Sequence, residues 1–129
     1  ERAAIPSHGL AGRVRQYAAD DIDLQAWYAG ASIFVYPSVY EGFGIPPLEA
    51  MASGVPVVAV DASSVTEVCA GAAELAPDGS SEALRAAIEA VAFDSDRAAR
   101  LKQAGLERIN RFSWAKAAQD TAACYRELV

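Results

Sequence analysis

Two carboxylates, Glu41 and Glu49, bracket a short run in which Gly42 and Gly44 flank a single residue, Phe43. Glycines so spaced let successive backbone N–H groups point outward as an anion-binding nest. Pro46 and Pro47 suit the first turn of a helix, whose positive dipole end would add to the same spot. A phosphate, or a cluster of sugar hydroxyls, is the natural guest. Near a helix start, Glu49 could serve only as a partner for the dipole. Glu41 has no such role open to it, because it would repel any anion held in the nest. Accepting hydrogen bonds from sugar hydroxyls suits it better.

The elements that must position this loop are legible around it. Ile33-Phe34-Val35-Tyr36-Pro37 is a short apolar run ended by proline, as expected of a strand buried on both faces of a parallel sheet. Val55-Pro56-Val57-Val58-Ala59-Val60 reads as a second such strand, and Gly54 suits the C′ position of the helix before it. A short helix over 65–70 and a weak strand near 73–75 follow. Upstream, Arg13-Val14-Arg15-Gln16-Tyr17 reads as a short strand. Asp20 and Asp21 can cap a helix over 22–29 with Ile22, Ala26 and Ala29 on one face.

After Asp78-Gly79 the pattern is helical to the end. Leu84, Ile88 and Val91 mark one amphipathic face, and Leu101, Gly105 and Ile109 another. Ser113 can cap a last helix in which Trp114, Ala118, Thr121, Ala122 and Tyr125 fall on one side. Strand–helix alternation of this kind predicts an α/β sheet with right-handed crossovers and ligands at the carboxyl ends of its strands.

Composition narrows the function classes. The 129 residues suit one domain or part of one, and 53% hydrophobic content can fill a single core. A net charge of −6 argues against nucleic acid and supplies no polybasic segment for anionic lipid. No apolar run reaches the roughly 20 residues that span a bilayer, and no signal-peptide pattern opens the chain, so a cytoplasmic location is expected. With His8 the one histidine, a zinc site or a histidine-based triad has no parts. Cys69 and Cys124 lack close spacing and read as two buried free thiols. Trp27, Tyr28 and Trp114 read as packing residues, Ser63 and Ser64 as turn caps, and the charges over 94–100 as a solvated helix face.

Glu41 and Glu49, with seven residues between them, match the Glu-x7-Glu signature of retaining GT-B glycosyltransferases. The surrounding sequence resembles glycosyltransferase family 4 in order and spacing. The matching runs are Phe34-Val35-Tyr36-Pro37-Ser38, Glu41-Gly42-Phe43-Gly44, Pro47-Leu48-Glu49-Ala50-Met51-Ala52, Gly54-Val55-Pro56-Val57-Val58-Ala59, Thr66-Glu67-Val68 and Arg111-Phe112-Ser113-Trp114. The resemblance covers nearly all of residues 10–129. It implies a Rossmann-like parallel sheet with flanking helices, part of the C-terminal donor-binding domain of a GT-B fold. The N-terminal acceptor domain and the first part of the donor domain would be missing.

The resemblance also implies roles. Glu41 would be catalytic, beside the sugar ring and helping to stabilise the transition state. Gly42, Phe43, Gly44 and Ile45 would give backbone contacts to the sugar and diphosphate. Leu48 would pack near ribose and phosphate, and Glu49 would bind the ribose hydroxyls. The donor would be a nucleotide-diphosphate sugar, with no metal or other cofactor, and a saccharide or lipid-linked acceptor would bind the missing domain. The full-length enzyme could then act at the cytoplasmic membrane face in polysaccharide biosynthesis.

One requirement is unmet within the chain, since no Lys, Arg or His occurs between Arg15 and Arg85 to stabilise a leaving diphosphate. The family's Arg/Lys pair lies upstream of this chain. A sheet lacking its first strand would also leave an edge open to self-association. Two other readings compete. In a dinucleotide-binding module, Gly42-x-Gly44 would open the phosphate turn and Asp61 would bind ribose, but Pro47 stands where a third glycine belongs. The other alternative is a non-catalytic binding domain.

Overall fold

Val57, Val58, Ala59 and Val60 are all buried, and they form the centre of a three-stranded parallel sheet. β-Branched residues covered on both faces suit this place. The computed structural model describes residues 4–18 and 21–128, with backbone alone described at 21 and 22. Along the chain run α1 (Ala4–Ser7), α2 (Asp21–Gly30), β1 (Phe34–Tyr36), α3 (Ile45–Ala52), β2 (Val57–Val60), α4 (Ser63–Cys69) and β3 (Ala73–Ala76). Then come α5 (Ser81–Ala92), α6 (Ser95–Arg108), a 3₁₀ turn (Ile109–Arg111) and α7 (Trp114–Glu127). The strand order is β1-β2-β3, with Phe34 opposite Val57 and Val57 opposite Ala73.

Alternation along β2 divides the core. Val57 and Ala59 face a cluster with Tyr28, Ala50, Met51, Val65 and Cys69, under α2, α3 and α4. Val58 faces the other way, onto Ala76, Ala87 and Val91 under α5. Helix α6 joins the two layers, because Ala98 and Leu101 pack on the second cluster and Ala104 on the first. At Gly105 the approach to α3 is tight, since a Cβ there would lie 3.0 Å from Met51 Cγ. The expected faces of α5 and α6 are therefore the ones that pack.

Helix α3 stops where its sequence says it should. Gly54, at φ +70°, follows Ser53, the C-cap. Its N–H donates to the Met51 carbonyl, and the Val55 N–H donates to the Ala50 carbonyl, each at 3.0 Å. These two bonds make a Schellman motif, with Gly54 at C′. They turn the chain directly into β2. Ser113 caps α7 as expected, accepting from the Lys116 N–H at 3.1 Å, and Ser80 and Asp94 cap α5 and α6 in the same way.

Several expectations need correction. Residues 13–17 form no strand, and all are exposed. A strand is stable only when its N–H and C=O groups find a partner, and this run pairs with no strand of the sheet. In α2 the inward residues are Leu24 and Tyr28, while Ala26 and Ala29 are exposed. Leu and Tyr remove far more apolar area from water than Ala does. The proposed Asp20 cap and the side chains of Asp21 and Ile22 lie outside the described residues.

Strand β1 is covered on one face only. Phe34 and Tyr36 pack on the first cluster, but Val35 on the other face is exposed, because α5 packs chiefly on β2 and β3. Among the described residues no side chain of α7 is buried, so Trp114 is not a core residue, and Cys124 is exposed while Cys69 is buried. Trp27 is also half in solvent and packs edge-on against Tyr17, with ring centroids 4.6 Å apart.

Candidate functional site

The loops that leave the three strands meet at the carboxyl edge of the sheet. From β1 the chain runs through Pro37 to Gly44 and then into α3. Val39 in this loop reaches the turn after β3 so closely that a Cβ on Gly79 would meet its Cγ1 at 2.6 Å. Glu41 reaches the turn after β2, and Phe43 lies edge-on to Phe112, with centroids 5.9 Å apart. Gly44 is the N-cap of α3 at φ +94°, a left-handed conformation that glycine takes without a Cβ penalty.

Pro46 and Pro47 follow inside the first turn of α3 and carry no N–H. That narrows the donors at this helix head. The N–H groups of Gly42, Phe43, Gly44 and Ile45 donate to no group of the protein among the described residues. Four consecutive donors at a positive helix end can serve an anion or a row of hydroxyls. At Gly42 the backbone does not require glycine, and a Cβ there would meet nothing within 4 Å. The bare Cα leaves room for a close approach from outside.

Each glutamate is held by a tyrosine from a neighbouring element. The Tyr36 hydroxyl, at the end of β1, donates to Glu41 Oε1 at 2.6 Å. The Tyr28 hydroxyl, from α2, donates to Glu49 Oε2 at 3.1 Å. Phe34 lies between the two rings, 5.3 Å from Tyr28 and 6.0 Å from Tyr36. A row of three aromatic rings thus spans from one carboxylate to the other.

The hydrogen bond from Tyr36, with a second from Ser38, holds the Glu41 carboxyl below the usual range. The same bond, with burial, pushes Tyr36 up to about 12. Burial, then the bond to Glu49, pushes Tyr28 up to about 12 as well. Both phenols therefore remain donors at neutral pH.

Glu49 is the fifth residue of α3, and that helix has no acidic residue in its first turn. The dipole-partner reading loses its footing, because the effect fades within one turn. Glu49 instead lines a cavity of about 280 Å³ between α2 and α3, with Leu24, Gln25, Tyr28, Ala52 and Ser53. Leu48 is half-buried against the first core cluster.

The profile of the family described as glycosyl transferases group 1 matches residues 2–108. The chain belongs to that family. Among its relatives in this family is the O-antigen chain mannosyltransferase B of Escherichia coli, 41% identical over 109 residues, which span 84% of this chain and 28% of that protein. The lipopolysaccharide core biosynthesis mannosyltransferase LpsB of Rhizobium meliloti is 37% identical over 134 residues, covering 97% of this chain and 37% of the relative. The structure of sucrose-phosphate synthase from Thermosynechococcus elongatus superposes with a TM-score of 0.85 at 30% identity, over 98% of this chain and 33% of that one. The chain thus spans about a third of the length of these three proteins. The family fold is the expected one, an α/β parallel sheet with flanking helices from part of a GT-B C-terminal domain.

The dinucleotide reading fares poorly beside this membership. Asp61, which it needs for ribose, accepts from the Thr66 hydroxyl at 2.6 Å. Two of the basic residues downstream of the loop are engaged with other groups of the protein. Arg108 donates through Nε to the Val68 carbonyl and through Nη2 to the Glu67 carbonyl, and its guanidinium lies over the Phe112 ring. Arg97 pairs with Glu74 at 3.2 Å.

Sequence reasoning missed the partners of the two glutamates. Tyr28 is the packing residue expected, but its hydroxyl has a second task. Ser63 and Ser64 do not cap a turn. Their hydroxyls reach Glu41, more than twenty positions away. No helical or strand periodicity links residues so far apart. The one hint was that both sides of each contact sit at carboxyl ends of adjacent strands. No helix of the described residues is long and apolar enough to cross a membrane.

Proposed function

We propose that this chain is part of the donor-binding wall of a larger glycosyltransferase, and that the whole enzyme transfers a hexosyl group from a nucleotide-diphosphate sugar to an acceptor with retention of anomeric configuration. Glu49 accepts from the ribose hydroxyls, with the adjoining cavity giving the nucleoside room. The free N–H groups of residues 42–45 receive the diphosphate and the sugar. Glu41 lies beside the ring and favours positive charge developing at the anomeric carbon. The bond from that carbon to the phosphate oxygen breaks, the acceptor oxygen bonds the same face, and the acceptor proton leaves with the diphosphate.

The α3 dipole and basic side chains outside this chain stabilise the leaving group without a metal. The acceptor is a saccharide or lipid-linked saccharide, held by a separate domain. The two bacterial relatives named as mannosyltransferases make a mannosyl donor the first to test, in polysaccharide assembly on the cytoplasmic side of the membrane.

The observation that carries this reading is the arrangement at the head of α3, where two oriented carboxylates flank four free N–H donors. Its test uses the full-length protein that contains these residues. Calorimetric titration with nucleoside diphosphates and with NADH, followed by NMR of the product anomer, should give diphosphate binding and a retained linkage. Binding of NADH alone, or an inverted product, would contradict it.

A further inference from the structure

Ser63 adopts a backbone angle that residues with a Cβ avoid. At the start of α4 its φ is +55°, in the left-handed region where a serine is uncommon and strained. Such strain persists only where surrounding contacts over-determine it. Here the contacts are specific. The Ser63 hydroxyl donates to the Glu41 carbonyl at 2.7 Å and accepts from the Glu41 N–H at 3.2 Å. The Ser64 hydroxyl donates to the same carbonyl at 3.0 Å. Neither hydroxyl caps the helix, since Ala62 is the N-cap and offers no side-chain bond.

The loop has little else to fix it. Residues 38–43 make no backbone–backbone hydrogen bond. Beyond the two serines it is tied by Tyr36 at the Glu41 carboxylate, by Val39 against Gly79 and by Phe43 against Phe112. The side chain of Glu41 is thus aimed by Tyr36, while its main chain is clamped by the turn after β2. A carboxylate that must sit beside a reacting carbon needs both, because displacement by about 1 Å can cost 10²-fold in rate.

We propose that Ser63 and Ser64 are positioning residues, which set Glu41 against the transferred sugar by clamping its main chain from the head of α4. This rests on the function proposed above. The test compares full-length wild type with Ser63→Gly/Ser64→Ala, in which glycine accepts the same φ without strain. The clamp predicts kcat lower by about 10- to 10²-fold, with the donor KM and the calorimetric affinity for nucleoside diphosphate unchanged. Ser63→Gly alone should keep or raise the melting temperature while lowering kcat. Ser64→Thr, which keeps the hydroxyl, should restore the turnover that Ser64→Ala loses. Full turnover in the double variant overturns the proposal, and so does a fall in kcat matched by equal loss of diphosphate binding. Absence of transfer by the wild type in the same assay marks failure of the functional reading itself.

Discussion

The Tyr36 hydroxyl donates to Glu41 Oε1 at 2.6 Å, across the turn that leads from the end of β1 into the glycine loop. The tyrosine belongs to the sheet and the glutamate to the loop. The bond therefore ties the loop to the sheet. It also favours the ionised carboxylate, which is why Glu41 titrates below its ordinary range.

Tyr36→Phe removes that donor and leaves the ring. With the donor gone, the Glu41 pKa should rise toward its ordinary value. If the rate needs ionised Glu41, activity is full above that pKa and lost as pH falls through it. The acid limb of the kcat profile should then move to higher pH in the variant, with kcat on the plateau also lower through loss of aim. A pH–rate profile of the full-length enzyme checks this, and an acid limb that does not move would assign it to another group.

Glu49→Ala should weaken donor binding by about 1.5–3 kcal/mol, the range for hydrogen bonds to a charged group. The loss should shrink with a 2′,3′-dideoxy donor analogue, which lacks the hydroxyls Glu49 would accept from. Calorimetry with both ligands reads the difference. Equal losses for the two would remove ribose from the account of Glu49.

Gly105→Val should destabilise the domain by about 1–3 kcal/mol, the usual cost of forcing carbon into a filled core. Its Cβ would press on Met51, itself buried at 1% exposure. Chemical denaturation gives the number. A neutral result would mean that α6 and α3 can move apart at this contact without loss.

Residues 1–129 alone should show no sugar transfer and should self-associate. The outer side of β1 pairs with nothing among the described residues, and α7 with its C-cap carries exposed Trp114, Tyr125 and Leu128. An open strand edge and uncovered apolar side chains both favour pairing with another copy. Light scattering beside an activity assay is the check, and turnover by a monomer would overturn it.

Much of this fold was legible because its signals are local. Pro46, Pro47 and Gly54 state where α3 begins and ends, and the valines of β2 declare a strand covered on both sides. Arg13 to Tyr17 misled for the opposite reason, since strand propensity means little without a neighbour to pair with. The faces of α2 misled because alanine spacing was weighed above the bulk of Leu24 and Tyr28. Glu41 and Glu49 stood out by spacing, yet the groups that hold them did not. Tyr28 lies 21 positions from Glu49, and Ser63 lies 22 from Glu41. The chain passes through β1 between the first pair and through α3 and β2 between the second, and only three dimensions reveal those meetings.

The most direct test pairs two readouts on Glu41→Ala in the full-length enzyme. Steady-state kinetics should show kcat lower by about 10²–10³-fold, as for loss of one preorganised electrostatic group. Calorimetric titration of the nucleoside diphosphate product, which has no sugar for Glu41 to touch, should give an unchanged affinity. Loss of diphosphate binding in a variant that remains folded would contradict the assignment and make Glu41 an organiser of the phosphate loop.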